Sequence, residues 1–78
     1  MLTFELFQET ERDLVFKYYP ENGTLYGVVS YDKINKVFSI VNLSKNDHHR
    51  IYAQKMIAKI QRDASQGKFD EKGTIAWY

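Results

Sequence analysis

The most polar cluster of the sequence, Asn46–Arg50, holds both histidines of the chain beside Asp47. A His–Asp pair can transfer protons, and histidines together with a carboxylate can ligate zinc. Zinc-binding histidines on a helix lie four residues apart, whereas the adjacent His48 and His49 would point about 100° apart. The chain has no cysteine and no third histidine to complete such a site. We therefore interpret the cluster as a helix start, with His49 at the edge of the apolar face and His48 in solvent.

Three carboxylates, Glu9, Glu11 and Asp13, fall within one polar break. Such a trio can bind Mg²⁺ weakly through oxygen, but acidic residues are also typical of a solvated hairpin loop, which we favour. The sequence has no nucleophile motif and no glycine-rich phosphate loop. We therefore expect a non-enzymatic protein without a cofactor or a metal. A small hydrolase or toxin is a further alternative function, and it would need a concave pocket around His49.

A basic stripe is the remaining candidate, because Lys55, Lys59 and Arg62 share the polar side of a helical pattern. Such a stripe can contact phosphates, so a nucleic-acid-binding accessory protein is the alternative function. The formal net charge is only +1. Acidic side chains outnumber basic ones in residues 1–22, and the balance is reversed in residues 45–72. The protein is therefore expected to be dipolar, which weakens its attraction to a polyanion.

The composition indicates one small folded domain spanning residues 1–78. Aromatic residues make up 15% of the chain, which argues against disorder. No apolar run approaches the roughly 20 residues of a membrane span, and the N-terminus lacks the pattern of a secretory signal. The absence of cysteine is compatible with a reducing compartment. We expect a cytoplasmic protein without a membrane partner.

Alternating apolar residues predict the strands that would position these side chains. Period-two patterns over residues 2–8, 14–19, 24–31 and 36–43 predict four strands. Pro20 ends the second strand, and Asn22-Gly23 favours a tight hairpin turn. Because the other connections are also short and polar, the strands should form an antiparallel meander.

After Leu43 the period becomes helical. An arc of about 100° collects the members of an apolar face, and Gly67 is suited to the left-handed position after the last turn. The arc contains His49, Ala53, Met56, Ile57, Ile60 and Ala64. Residues 74–78 predict a short last strand. The predicted fold is α+β, with a four-stranded antiparallel meander, one long helix packed on one face, and a short C-terminal strand.

One helix covers only one face of a sheet, so the other face should expose apolar side chains. The third and fourth strands are apolar on both faces; their phase is open, and we assign Val28 to the core. An exposed patch of this kind indicates an interface. We therefore predict a protein–protein interaction module, a homodimer or other homo-oligomer that self-associates through its free sheet face or an edge strand. The predicted interface residues are Phe7, Val15, Tyr19, Leu25, Val29, Tyr31 and Val37.

Three segments together, Tyr18–Gly23, Tyr26–Asp32 and Gly73–Tyr78, give the chain a family likeness. The sequence resembles a group of small uncharacterised proteins from Gram-positive bacteria, and the likeness spans most of the chain. The resemblance implies a cytoplasmic, small single domain. It implies no activity and transfers no site residues.

Overall fold

The computed structural model describes residues 1–77, which form one antiparallel sheet with a helix across one face. The elements in chain order are β1 (Leu2–Glu9), β2 (Asp13–Pro20), β3 (Gly27–Asp32), β4 (Val37–Asn42), a single helical turn (His48–Arg50), α1 (Ile51–Gln66) and β5 (Lys72–Ile75). The α+β class is confirmed. The sheet has five strands instead of four, in the order β4-β3-β2-β1-β5, because the C-terminal strand pairs with β1. Tyr78, included in the predicted last strand, lies outside the described residues.

Strand β2 is the centre of the sheet and alternates without interruption. Its buried side chains Leu14, Phe16 and Tyr18 face α1, while Val15 and Tyr19 face the other way. Neighbouring strands continue this alternation by direct pairing, and α1 contributes Ala53, Met56 and Ile60 to the same layer. The buried apolar core consists of Leu2, Phe4, Leu14, Phe16, Tyr18, Val29, Tyr31, Ala53, Met56 and Ile60.

A row of four residues crosses the sheet from β5 to β3 and explains two glycines. Gly73 lies opposite Phe4, Phe4 opposite Tyr18, and Tyr18 opposite Gly27. A Cβ atom at Gly27 would approach the Tyr18 ring to 2.3 Å, and one at Gly73 would lie 3.2 Å from the Phe4 ring. Each ring therefore packs over the backbone of a glycine in the next strand. Glycine inside a strand often marks a close approach to the backbone, and Gly27 makes one with the Tyr18 ring.

The phase of β3 differs from the prediction. Val29 and Tyr31 are buried beneath α1, so their assignment to the free face is wrong. Val28 lies on the opposite face, so its assignment to the core is also wrong. The register decides the phase, because Gly27 must lie opposite Tyr18 to leave room for its ring. Side chains two residues apart share a face, and Val29 and Tyr31 therefore follow Gly27 inward.

The helix begins later than the apolar arc predicts. His49 (φ 65°) and Arg50 (φ 61°) adopt left-handed backbone conformations, and α1 starts at Ile51. His49 is therefore exposed in the preceding turn and does not extend the apolar face. The cause is Asp47, whose buried carboxylate accepts hydrogen bonds from the first N–H groups of α1. The predicted end is confirmed, because Gly67 (φ 72°) closes the last turn.

The helix is narrower than the sheet beneath it. Five strands spaced by about 4.8 Å span about 19 Å, whereas one helix with its side chains is about 10 Å wide. Helix α1 packs mainly on β2 and β3 and also touches β5. A depression consequently lies on either side of α1, one beside β4 and one beside β5. No helix among residues 1–77 has the length and apolar character needed to cross a membrane.

Candidate functional site

The outer face of the sheet, on the side away from α1, is less apolar than predicted. Phe7, Val15 and Tyr19 lie there, and Phe7 sits at a bulge between Leu6 and Gln8. Polar side chains such as Thr3 and Ser30 lie between them. Because Val29 and Tyr31 point inward, the outer face is a mixed surface and does not form a continuous apolar patch.

Aromatic rings on this face enclose a lysine. The Nζ atom of Lys17 lies 4.4 Å from the centroid of the Phe7 ring and 4.6 Å from that of Tyr26. The Tyr19 hydroxyl donates a 2.6 Å hydrogen bond to Glu5, and this bond raises the pKa of Tyr19 to about 12. Cation–π contacts of this kind stabilise an exposed lysine by about 0.5–1 kcal/mol. These aromatic side chains therefore already contact groups of their own chain.

The exposed aliphatic side chains concentrate at β4, which is one edge of the sheet. Ile34 is 67% exposed, Val41 is 64% exposed and Val37 is 53% exposed. Between Val37 and Leu43 the chain has no charged residue and no proline. Most proteins protect an edge strand with charges or proline, because its free N–H and C=O groups can pair with another strand. Strand β4 lacks both forms of protection.

Hydrogen bonding along the sheet identifies which groups of β4 face outward. The Lys33 N–H donates to the carbonyl oxygen of Arg12 at 2.7 Å, so odd-numbered residues of β3 bond to β2. Even-numbered residues of β3 then bond to β4, and their partners include Ser39. The main-chain groups of Phe38 and Ile40 consequently point away from the sheet. Within residues 1–77, no strand pairs with β4 on that side.

The depression between α1 and β4 continues this edge inward. It is lined by four apolar residues and one arginine, namely Phe38, Ile40, Leu43, Ile57 and Arg50. Phe38 and Ile40 are only half-buried, although they point to the covered side of the sheet. The Phe38 ring stacks on Tyr31 with 4.6 Å between centroids, which holds one side of the ring in place. The exposed sides of Phe38 and Ile40 are therefore available to a partner strand.

The turn before β4 is held by the Asp32 side chain. Its carboxylate accepts hydrogen bonds from the N–H groups of Ile34 and Asn35, each at 3.0 Å. Arg12 of the β1–β2 turn adds an ion pair at 3.0 Å. The Asn35 N–H makes the largest contribution to lowering the pKa of Asp32 to about 2. These bonds fix the start of β4, so the edge strand is presented in one register.

The basic stripe is brought together beside β5, but its members are not equivalent. Lys59 donates hydrogen bonds to Asp63 at 2.9 Å and to Asp70 at 2.8 Å, and these partners raise its pKa. Its charge is therefore compensated within the fold. Lys55 lies 5.4 Å from the centroid of the Trp77 ring, and Arg62 lines the same groove.

The polar clusters do not form a site of their own within residues 1–77, and Arg50 of the first cluster lines the depression beside β4. His48 and His49 are exposed, and residues 1–77 contain no group of three histidine or acidic side chains that could hold a metal. Glu9 is 3.7 Å from Lys33 in an ion pair, and Glu11 is exposed. The residues that sequence reasoning missed are Ile34, Ser39 and Leu43 at the β4 edge. The uncharged run from Val37 to Leu43 was the available signal.

No family model, no curated protein and no solved structure matches the chain. The resemblance to small proteins from Gram-positive bacteria, which rests on three segments, stays a prediction. Those segments contribute Tyr18, Gly27 and Gly73 to the row of rings and glycines that crosses the sheet.

Proposed function

We propose that this protein is a non-enzymatic interaction module that self-associates by pairing the β4 strands of two copies. The observation that carries the proposal is an uncharged, unprotected edge strand flanked by exposed aliphatic side chains. The opposite edge, β5, has four residues and presents Lys72, which would repel its equivalent in a second copy. Self-association therefore favours β4. The chain lacks cysteine, and we propose that it acts in the cytoplasm.

A two-fold axis at Ser39 allows the β4 strands of two copies to pair through all of their outward main-chain groups at Phe38 and Ile40. Antiparallel alignment about this axis places Phe38 opposite Ile40 of the second copy, and the reciprocal pair follows by symmetry. These are the residues whose main-chain groups point outward, so the two pairs form four hydrogen bonds. The arrangement joins two five-stranded sheets into one continuous sheet. No charged side chain falls within the paired segment.

Side-chain burial supports the same arrangement. Phe38 and Ile40 of each copy meet on the covered side, where α1 leaves their flanks open. Val37 and Val41 approach each other on the outer side, which shields two of the most exposed aliphatic side chains. Aromatic–aliphatic pairs across a strand stabilise a sheet by roughly 0.2–1 kcal/mol each. The contact is small, and we expect a dissociation constant of roughly 10–100 μM.

Light scattering after gel filtration tests the proposal at loading concentrations from about 5 to 500 μM, which bracket the expected dissociation constant. The mass should rise from monomer toward dimer across this range. Ser39→Lys should hold the chain monomeric, because it places two ammonium groups side by side at the axis. Ser65→Lys introduces the same side chain at an exposed helix position and should dimerise like the parent. A parent that stays monomeric, or a Ser39→Lys variant that dimerises normally, would contradict the proposal.

A further inference from the structure

A second groove lies on the other side of α1, between the helix and β5. Two adjoining depressions of about 310 and 230 Å³ share Lys59, Arg62, Ile75 and Ala76. One wall is β5 with the residues that follow it, and the other is α1. Gly73 and Ala58 leave the walls open, because neither residue projects a large side chain into the space.

The main chain of β5 offers hydrogen bonds along this groove. The Leu6 N–H donates to the carbonyl oxygen of Glu71, so alternate residues of β5 bond to β1, beginning with Gly73. The residues between them, Lys72 and Thr74, then direct their N–H and C=O groups away from the sheet. An extended segment lying beside β5 would form a sixth strand between this edge and the helix. Strand addition of this kind gives affinity through the main chain and selectivity through side-chain contacts.

The charge of the groove selects the chemistry of that segment. Arg62 and Lys55 border it, and neither forms an ion pair within residues 1–77. Lys72 points to the other face of the sheet, opposite Glu5, and does not belong to the groove. Asp70 also lines the groove, but its carboxylate is engaged by Lys59. The uncompensated charge is therefore positive, and carboxylate side chains on a peptide would complement it.

We propose that the β5–α1 groove binds an extended acidic peptide by strand addition. The peptide main chain pairs with Lys72 and Thr74, and its acidic side chains reach Arg62 and Lys55. A planar guanidinium can bind a carboxylate through two hydrogen bonds, which gives Arg62 the larger share of the selectivity. A flexible polyanion such as single-stranded nucleic acid would meet the same cations, but it has no strand donors to pair with β5. The groove lies at the opposite edge from β4, so this proposal is independent of self-association.

Trp77 provides a direct readout, because it is the single tryptophan of the chain and lines the groove. We would titrate the protein with a capped octapeptide of alternating glutamate and threonine, following Trp77 fluorescence. The matched peptide has glutamine in place of glutamate, and an oligothymidylate of eight nucleotides supplies the nucleic-acid comparison. We expect the acidic peptide to bind with a dissociation constant of roughly 100 μM and the glutamine peptide at least tenfold more weakly.

Three variants separate main-chain pairing from charge. Thr74→Pro removes an outward N–H without taking a bond from the β1–β5 ladder, and it should weaken binding about tenfold. Thr74→Val keeps the N–H and should bind like the parent, and Arg62→Gln should reduce both affinity and its salt dependence. A thermal melt establishes that Thr74→Pro folds. If it does not, protection of the Thr74 amide from hydrogen exchange by the peptide gives the same information in the parent protein.

Three results would overturn the proposal. The first is no binding of the acidic peptide up to millimolar concentration. The second is equal binding of the glutamate and glutamine peptides. The third is tighter binding of the oligothymidylate that survives Thr74→Pro, which would assign the groove to nucleic acid. Dimerisation through β4 has a separate measurement, so the two proposals fail separately.

Discussion

The hydroxyl of Tyr18 donates a 2.9 Å hydrogen bond to the carboxylate of Asp47 in the interior of the protein. The same hydroxyl accepts the N–H of Ser44 at 3.1 Å. The Asp47 carboxylate also accepts the N–H groups of Tyr52 and Ala53, each at 2.9 Å. Burial raises the pKa of Tyr18 to about 12. The central strand is thereby joined to the first turn of α1 by groups that are all satisfied.

Removing the Tyr18 hydroxyl tests this connection. Tyr18→Phe should lower the free energy of unfolding by about 1–2 kcal/mol, because the Ser44 N–H loses its acceptor and Asp47 loses a donor. Urea unfolding followed by circular dichroism measures the change. Tyr26→Phe removes the hydroxyl of an exposed tyrosine and should change stability by less than about 0.5 kcal/mol. Equal effects of the two substitutions would contradict the buried network.

Gly27 should tolerate no side chain, because the Tyr18 ring occupies the space above it. Gly27→Ala should cost about 2–3 kcal/mol by overpacking. Gly73→Ala is the matched substitution in the same row and should cost less, since its Cβ would lie 3.2 Å from the Phe4 ring. In a Tyr18→Val background, the cost of Gly27→Ala should fall by at least about 1 kcal/mol. Purely additive effects in this double-mutant cycle would show that the ring does not limit Gly27.

Asp32 should make the hairpin before β4 sensitive to acid. Its pKa in the folded chain is about 2, below the ordinary 3.8. A lowered pKa contributes stability that is present above the ordinary value and is lost as the pH falls from about 4 toward 2. Carboxyl chemical shifts measured by NMR give the midpoint, and Asp32→Asn should lose this part of the acid dependence. A midpoint near 3.8 would mean that the Asn35 N–H and Arg12 do not hold the carboxylate.

Lys59 is expected to stabilise the folded protein through its ion pairs, in addition to lining the groove. Lys59→Gln should destabilise the protein by about 1–2 kcal/mol, because it leaves the buried carboxylate of Asp63 without its charged partner. Lys55→Gln makes the same change at an exposed position of the stripe, and we expect less than about 0.5 kcal/mol. Thermal or urea unfolding distinguishes them. Equal stability of the two variants would show that Lys59 contributes no more to stability than an unpaired surface lysine.

Much of the fold follows from local pattern. The alternation along β2 and the spacing of Ala53, Met56 and Ile60 identify the strand and the helix face. Gly67 marks the helix end because its left-handed conformation suits glycine. These features depend on neighbours in the chain, so the sequence is sufficient to predict them.

Other features depend on residues far apart in the chain. Val28 and Val29 are both apolar, and only the packing of Tyr18 over Gly27 decides which of them turns inward. The late start of α1 depends on Asp47 reaching Tyr18, a residue 29 positions earlier. The tight hairpin predicted from Asn22-Gly23 is wrong: residues 21–26 connect β2 to β3, and the positive φ values fall at Glu21 and Asn22, one residue earlier than the pair suggests.

The candidate site was predicted only in part, for a geometric reason. Excess apolar surface was expected on the outer face, but aromatic rings there enclose Lys17. A five-stranded sheet is wider than one helix, so apolar flanks remain open on the covered side. Val37 was identified from the sequence, whereas Ser39 carries no signal of its own. Its importance comes from its position at the centre of an edge strand.

Disulfide formation at Ser39 tests the pairing of two β4 strands most directly. The chain has no cysteine, so Ser39→Cys introduces a single thiol. At the two-fold axis, the two copies of this residue form a non-hydrogen-bonded pair with Cα atoms about 4.5 Å apart, within the range of a disulfide. Val37→Cys is the matched control, because its two copies would be separated by four residues, about 14 Å.

Under mild oxidation, we predict a covalent dimer for Ser39→Cys on a non-reducing gel and in the intact mass. Val37→Cys should stay monomeric under the same conditions. Little cross-linking of Ser39→Cys, or cross-linking of both variants to the same extent, would contradict antiparallel pairing of β4 about Ser39.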